Sequence, residues 1–119
     1  MTKILVCGGR RFHDSEAVST ALNEHHPTIV IHGGCGTGAD AHAYAWARWN
    51  NVKQWIFRAD WSLGRKAGPL RNQDMLDTAK PDLVLAFPGG RGTADMVRRA
   101  KAAGVTVIEI ERPDDEAGP

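Results

Sequence analysis

At 119 residues, with 42% hydrophobic and 24% charged side chains, the chain has the make-up of one soluble globular domain and no room for a second core. Fifteen Lys and Arg against fourteen Asp and Glu leave a net charge of +1, which excludes the broad cationic field used in non-specific DNA binding. No apolar run approaches the length that spans a bilayer. Met1-Thr2-Lys3-Ile4-Leu5-Val6 leads straight into a strand-like segment rather than a charged leader with a cleavage site, so a cytoplasmic location is expected.

Lys3 to Cys7 is a short apolar run closing on Gly8-Gly9, the pattern of a buried parallel strand. Asp14 can cap a helix running to about His26, with Val18, Ala21 and Leu22 turned inward. A second, β-branched strand from Thr28 to His32 ends at Gly33-Gly34. The helix that follows, about Thr37 to Asn50, places Ala39, Ala43, Trp46 and Ala47 on one stripe. Val52 to Phe57 is a third strand, and residues 58–66 form a polar loop around Asp60-Trp61. Gly68-Pro69 opens a third helix, proline costing no hydrogen bond at its first position. That helix ends near Lys80-Pro81, since the residue before proline resists α geometry. Asp82 to Phe87 is a fourth strand ending in Pro88-Gly89-Gly90. Gly92-Thr93 starts a helix that Gly104 closes, and Val105 to Ile110 is the fifth strand. The acidic tail at 112–119 is expected to fray. This βαβαβαβαβ order predicts an α/β, doubly wound sheet of about five parallel strands with helices on both faces, a single domain over 1–111.

Ligands of such sheets bind beyond the carboxyl ends of the strands, where the strand order switches. Three predicted strands end there in glycine-rich turns: Cys7-Gly8-Gly9-Arg10, His32-Gly33-Gly34-Cys35-Gly36-Thr37-Gly38, and Pro88-Gly89-Gly90-Arg91-Gly92-Thr93. Each can bring bare backbone N–H groups close to an anion and feeds a helix N-terminus with partial positive charge. One such turn serves chain geometry alone as readily; three together favour a phosphate-bearing ligand. None is a Walker A loop, and the dinucleotide fingerprint is absent after the first strand. Arg10 is placed to clamp a phosphate, and Trp61 to stack on a base. Asn72 either reads a base edge or ribose hydroxyl or ties down its loop, and Arg91 either joins the phosphate turn or projects into solvent. Trp46, Trp49 and Trp55 are expected in the core or an interface. Of five histidines only His32 ends a strand at the ligand edge, and no metal constellation forms. Cys7 and Cys35 match no metal spacing and are expected as reduced thiols. Cys35 lacks a sequence-adjacent base for nucleophilic work. Arg98, Arg99 and Lys101 are expected on a solvated helix face, late enough to suit the dipole.

Four segments together resemble a known family: residues 8–14 (Gly-Gly-Arg-Arg-Phe-His-Asp), 32–40, 67–75 (Ala-Gly-Pro-Leu-Arg-Asn-Gln-Asp-Met) and 86–96 (Ala-Phe-Pro-Gly-Gly-Arg-Gly-Thr-Ala-Asp-Met). The chain resembles the SLOG superfamily, named for the DNA-processing protein Smf/DprA and the LOG cytokinin-activating enzymes, and within it the YspA-type, cpYpsA-related branch. The resemblance spans nearly all of residues 3–110. It implies a Rossmann-like nucleotide-binding domain with no required cofactor, often a homodimer or larger homo-oligomer. LOG-type enzymes hydrolyse the N-glycosidic bond of nucleoside 5′-monophosphates with a PGGxGTxxE motif and an arginine from the preceding helix. Pro88, Gly89, Gly90, Gly92 and Thr93 match the phosphate turn, and Arg71 matches the arginine. The glutamate does not carry over: Met96 holds its position. An oxocarbenium-like transition state needs a carboxylate, which methionine cannot supply. Asp95 lies one position away, about 100° round the helix, and is either a relocated catalytic acid or a first-turn partner of the dipole. Asp40 has the same two readings in the first turn of the second helix, and Asp60 is a second site carboxylate or an ordinary turn residue. Three functions follow from the resemblance: a nucleotide-binding or sensing domain, a nucleotide N-glycosidase using a relocated carboxylate with Arg71, and DprA-like binding of single-stranded DNA. The near-neutral charge opposes the last.

Overall fold

The structure, a computed structural model, describes residues 2–111; the tail expected to fray, 112–119, lies outside the described residues. Five strands, β1 (Lys3–Cys7), β2 (Ile29–His32), β3 (Lys53–Ile56), β4 (Leu83–Ala86) and β5 (Thr106–Glu109), form one parallel sheet in the order β3-β2-β1-β4-β5. The helices are α1 (Ser15–His25), α2 (Gly38–Trp49), α3 (Ala67–Asp74) and α4 (Arg91–Ala102). This is the predicted doubly wound, Rossmann-like α/β fold.

Side-chain alternation along the strands divides the interior in two. Ile4, Val6, Leu85 and Phe87 pack with Val18 and Leu22 of α1 and Ala39, Ala43 and Ala47 of α2. Leu5, Ile31 and Val84 face the other way, against Met75, Leu76 and Ala79 and against Met96 and Ala100 of α4. The central strands are apolar on both faces because both are covered; the edge strands β3 and β5 are only half-buried. β1 therefore leads to one face of the sheet and its neighbour β4 to the other, and their turns part to leave a crevice between them.

Between β3 and α3 the chain forms a 3-10 helix, Trp61–Lys66, where the sequence predicts loop. Asp60 opens it, its side chain accepting from the Ser62 N–H and hydroxyl. The predicted third helix is not one α-helix to Lys80. It is α-helical to Asp74 and widens into a π turn over Met75–Ala79. Lys80 closes that turn in the left-handed region (φ 48), its N–H on the Leu76 carbonyl, before Pro81. Gly104, at φ 77, ends the fourth helix as predicted.

Trp46 and Trp55 pack against the two cores as expected, and Trp49 does not. Trp49 is 90% exposed, belonging to no core, because α2 presents alanines to the sheet and turns its last residues outward. Trp46 sits at the rim of the buried stripe, its Nε1 donating to Asn23 Oδ1. Trp55 is half-buried under the Lys3 ammonium, 5.7 Å from its ring.

Candidate functional site

The crevice is a cavity of about 1440 Å³ at the carboxyl edge of the sheet. All three glycine-rich turns reach it, and their backbones touch. The Gly9 N–H donates to the Pro88 carbonyl (2.9 Å), and the Gly9 carbonyl accepts from Ala39 N–H at the start of α2 (3.2 Å). A side chain at Gly38 would strike the Gly9 carbonyl and the Arg10 backbone, at a φ of +73 that already favours glycine. A side chain at Gly89 would strike Thr93 and the Gly9 nitrogen. The β1 turn is thus wedged between the other two, which only bare backbone allows.

Helix starts differ in what occupies their N–H groups. Asp14 caps α1 through Ala17 N–H, and the Gly9 carbonyl meets α2. The start of α4 follows Gly90, which offers no side-chain cap, and it opens onto the cavity beside Arg91, Gly92 and Thr93. Its first N–H groups and dipole carry the partial positive charge general to helix starts.

Of the residues singled out in the sequence, Gly8, Gly9, Arg10, Gly33, Gly34, Gly36, Trp61, Arg71, Asn72, Pro88, Gly89, Gly90, Gly92, Thr93 and Asp95 all line the cavity. Thr37 and Asp60 do not. The Thr37 hydroxyl lies 3.7 Å from Cys35 Sγ, and the Asp60 carboxylate is occupied by Ser62. His32 is 1% exposed, its ring held between Gln54 Oε1 (2.8 Å) and the Gly34 N–H (3.0 Å), so it braces the second turn from beneath. Arg10 stacks its guanidinium 5.4 Å from the Trp61 ring across the mouth.

Arg71 is oriented from three sides: Nη1 donates to the Gly33 carbonyl (3.3 Å) and the Phe57 carbonyl (3.2 Å), and Nε to Asn72 Oδ1 (3.1 Å). Asn72 is buried, its Nδ2 donating to the Gly92 carbonyl and to Asp95 Oδ2. Its amide ties α3 to α4 from the cavity wall. Asp95 lies one turn inside α4, not in its first turn, so it is no partner of the dipole. It accepts from Asn72, Arg98 (2.7 Å) and Arg99 (2.8 Å). Burial alone would raise its pKa; the hydrogen bonds of Asn72 and Arg99 and the charges of Arg99 and Arg98 outweigh that and lower it. It stays ionised and is a poor proton acceptor. Arg98 is 70% exposed, so the solvated face expected of it holds, while Arg99 is half-buried, and both also pair with Asp95.

Met96 is 1% exposed and packed in the second core. Two deeper groups are chemically distinct. Burial first, then the charge of Asp40, pushes the Cys7 thiol up to about 12 against the lowering effect of Arg71, so it stays protonated. Burial also raises the Asp40 pKa, more than the Cys35 N–H bond (3.2 Å) and the charges of His32 and Arg71 lower it. Arg11, which falls in the first resembling segment without having been singled out, lines the cavity too, as do Arg58 and Arg65, which carry no motif and are marked only by their place after β3 and in the 3-10 helix. Among the described residues no group of His, Cys, Asp and Glu could hold a metal ion.

A family model described as the YspA, cpYpsA-related SLOG family matches residues 2–64. The chain belongs to that family. The matched segment carries the first two glycine turns of this YspA-type SLOG domain and ends before Arg71 and the third turn. No curated protein matches the sequence. A solved structure described as the molybdenum cofactor binding protein from the phototrophic bacterium Rippkaea orientalis is similar in fold. It has a TM-score of 0.70 at 16% identity, over 98% of this chain and 80% of that one. No helix among the described residues is long and apolar enough to cross a membrane.

Proposed function

We propose that this SLOG domain binds a nucleotide, or a nucleotide-derived phosphate ligand, and acts as a binding or sensing domain. One observation carries the reading: the uncapped start of α4, entered through Gly90, opens into the cavity at the point where β1 and β4 part. Arg10 and Arg71 supply charge, and Trp61 a flat apolar face at the mouth. Turnover is not part of the first reading, since Met96 is buried and Asp95 is held by two arginines. A cytoplasmic homodimer or larger homo-oligomer completes it, the bare indole of Trp49 supporting such a contact.

The test uses nucleoside 5′-monophosphates of all four bases in a thermal-shift assay, with free base followed by chromatography. Gly90 has open space where a side chain would project, so Gly90→Val should fold normally and lose the ligand-induced rise in Tm. A rise that survives Gly90→Val would reject this placement. A second reading, N-glycosidic hydrolysis, is favoured by Asp40 alone, a carboxyl of raised pKa on the cavity wall beside Arg71. Base release by the wild type that Asp40→Asn abolishes would establish it; binding without release would remove it.

A further inference from the structure

Away from the crevice, one apolar surface of the sheet is left open among the described residues. α1 and α2 pack on one face and α4 on the other, and β5 is the last strand of the sheet. Alternation turns Val107 toward α4, and Ile108 and Ile110 toward α1. Beyond α1 no described element covers that end of the sheet, and a groove of about 410 Å³ runs between α1 and β5. Its floor is Ala17, Ala21, Leu85, Ile108 and Ile110, with Ile108 37% exposed. Its rim is acidic. Glu16 and Glu24 stand about two turns apart on α1, Glu111 follows β5, and no lysine or arginine lines the groove. An apolar slot ringed by carboxylates suits an occupant that is apolar at its centre and cationic around it.

This chain carries such a shape at its other edge. Trp49, almost fully exposed, ends α2 just before the chain enters β3, the strand at the opposite edge of the sheet. Arg48 precedes it and Lys53 opens β3. Both are exposed, and neither pairs with a carboxylate among the described residues. Since indole and groove lie at opposite edges, one copy cannot fill its own groove. Two copies set groove to groove would bring like carboxylates together, which opposes a symmetric contact there. Residues 112–119, with Asp114, Asp115 and Glu116, have the same sign as the rim. A second copy presenting Trp49 between Arg48 and Lys53 has the opposite sign. Tryptophan enclosed in a pocket is also where contacts between proteins concentrate their energy.

Resting on the homo-oligomer of the proposed function, we propose that copies of this chain associate head to tail, Trp49 of one entering the α1–β5 groove of the next. Such a contact is heterologous, so it grows into a ring or a chain of copies instead of stopping at a symmetric dimer.

Sedimentation of the whole chain over a concentration series tests it, and the wild type should gain mass as concentration rises. Trp49→Ser removes the indole and keeps the groove; Ile108→Glu spoils the groove floor and keeps the indole. Each alone should stay at the monomer mass of 12.9 kDa with a Tm near that of the wild type. Mixed in equal amounts, they should form a one-to-one heterodimer, a rescue that also shows both to be folded. Glu16→Lys combined with Glu24→Lys should weaken the wild-type association severalfold, and an unchanged association would overturn the match of charge. A mixture that stays monomeric would overturn the proposal in favour of Trp49 meeting Trp49. An oligomeric Ile108→Glu would overturn the groove while leaving the oligomer in place. A monomeric wild type would overturn both, without touching nucleotide binding.

Discussion

Asp95 shows how much the partners of one carboxylate decide about its chemistry. Its position after the phosphate turn marks it as a stand-in for a missing glutamate, but its carboxylate bolts α4 to α3 through Asn72 and gathers Arg98 and Arg99. A carboxyl whose folded pKa is lowered stabilises the fold above its unfolded value, about pH 4, and loses that contribution as pH falls through the folded pKa. Asp95→Asn should therefore cost roughly 1–3 kcal/mol at neutral pH and flatten the acid side of the Tm-against-pH curve. A variant whose acid limb matches the wild type would show that the ion pairs contribute nothing. Gly33 is the complementary case. A methyl group there would run into the Arg71 guanidinium, so Gly33→Ala should displace Arg71 and weaken nucleotide affinity more than it lowers Tm. Equal affinity in a calorimetric titration would contradict the role given to Arg71.

At the scale of elements, the third helix is the informative one. Its apolar residues recur with a spacing that α and π turns both satisfy, so nothing local announces that the segment widens at Met75. The widening brings Met75, Leu76 and Ala79 into the second core together, and the chain then needs a left-handed residue to turn toward β4. Lysine occupies that position at φ 48, where a Cβ is penalised. Lys80→Gly should accordingly raise stability by about 1 kcal/mol, read as a higher urea midpoint at unchanged slope. A lowered midpoint would mean that the lysine side chain, not its backbone angle, matters there.

For the whole molecule, two cores on opposite faces of one sheet leave its carboxyl edge as the place where loops meet without covering helices. Among the described residues the most exposed large apolar side chain is Trp49, at the far end of α2. If the chain associates through it, light scattering on the eluting wild type should give a mass above 12.9 kDa, and Trp49→Ser should return the monomer with little change in Tm. A monomeric wild type would remove the oligomer from the proposal.

Much of this was legible in the residues. Buried parallel strands are apolar on both faces and end abruptly in glycine, so β1, β2 and β4 stand out, and with them the three turns. Asp14 announces α1 because a cap is a local interaction, and Met96 reports its own missing carboxylate by identity alone. Other features depended on residues far apart in the chain. That Asn72 reaches Asp95, that Arg58 and Arg71 converge on one glycine turn, and that Thr37 and Asp60 miss the cavity follow only when α3 packs on α4 and the strands take the order β3-β2-β1-β4-β5. The sequence by itself determined the elements and their handed winding, because periodicity, caps and glycine act over a few residues. Tertiary structure alone decided which charges face one another across the crevice, because that depends on strand order and helix packing between segments tens of residues apart.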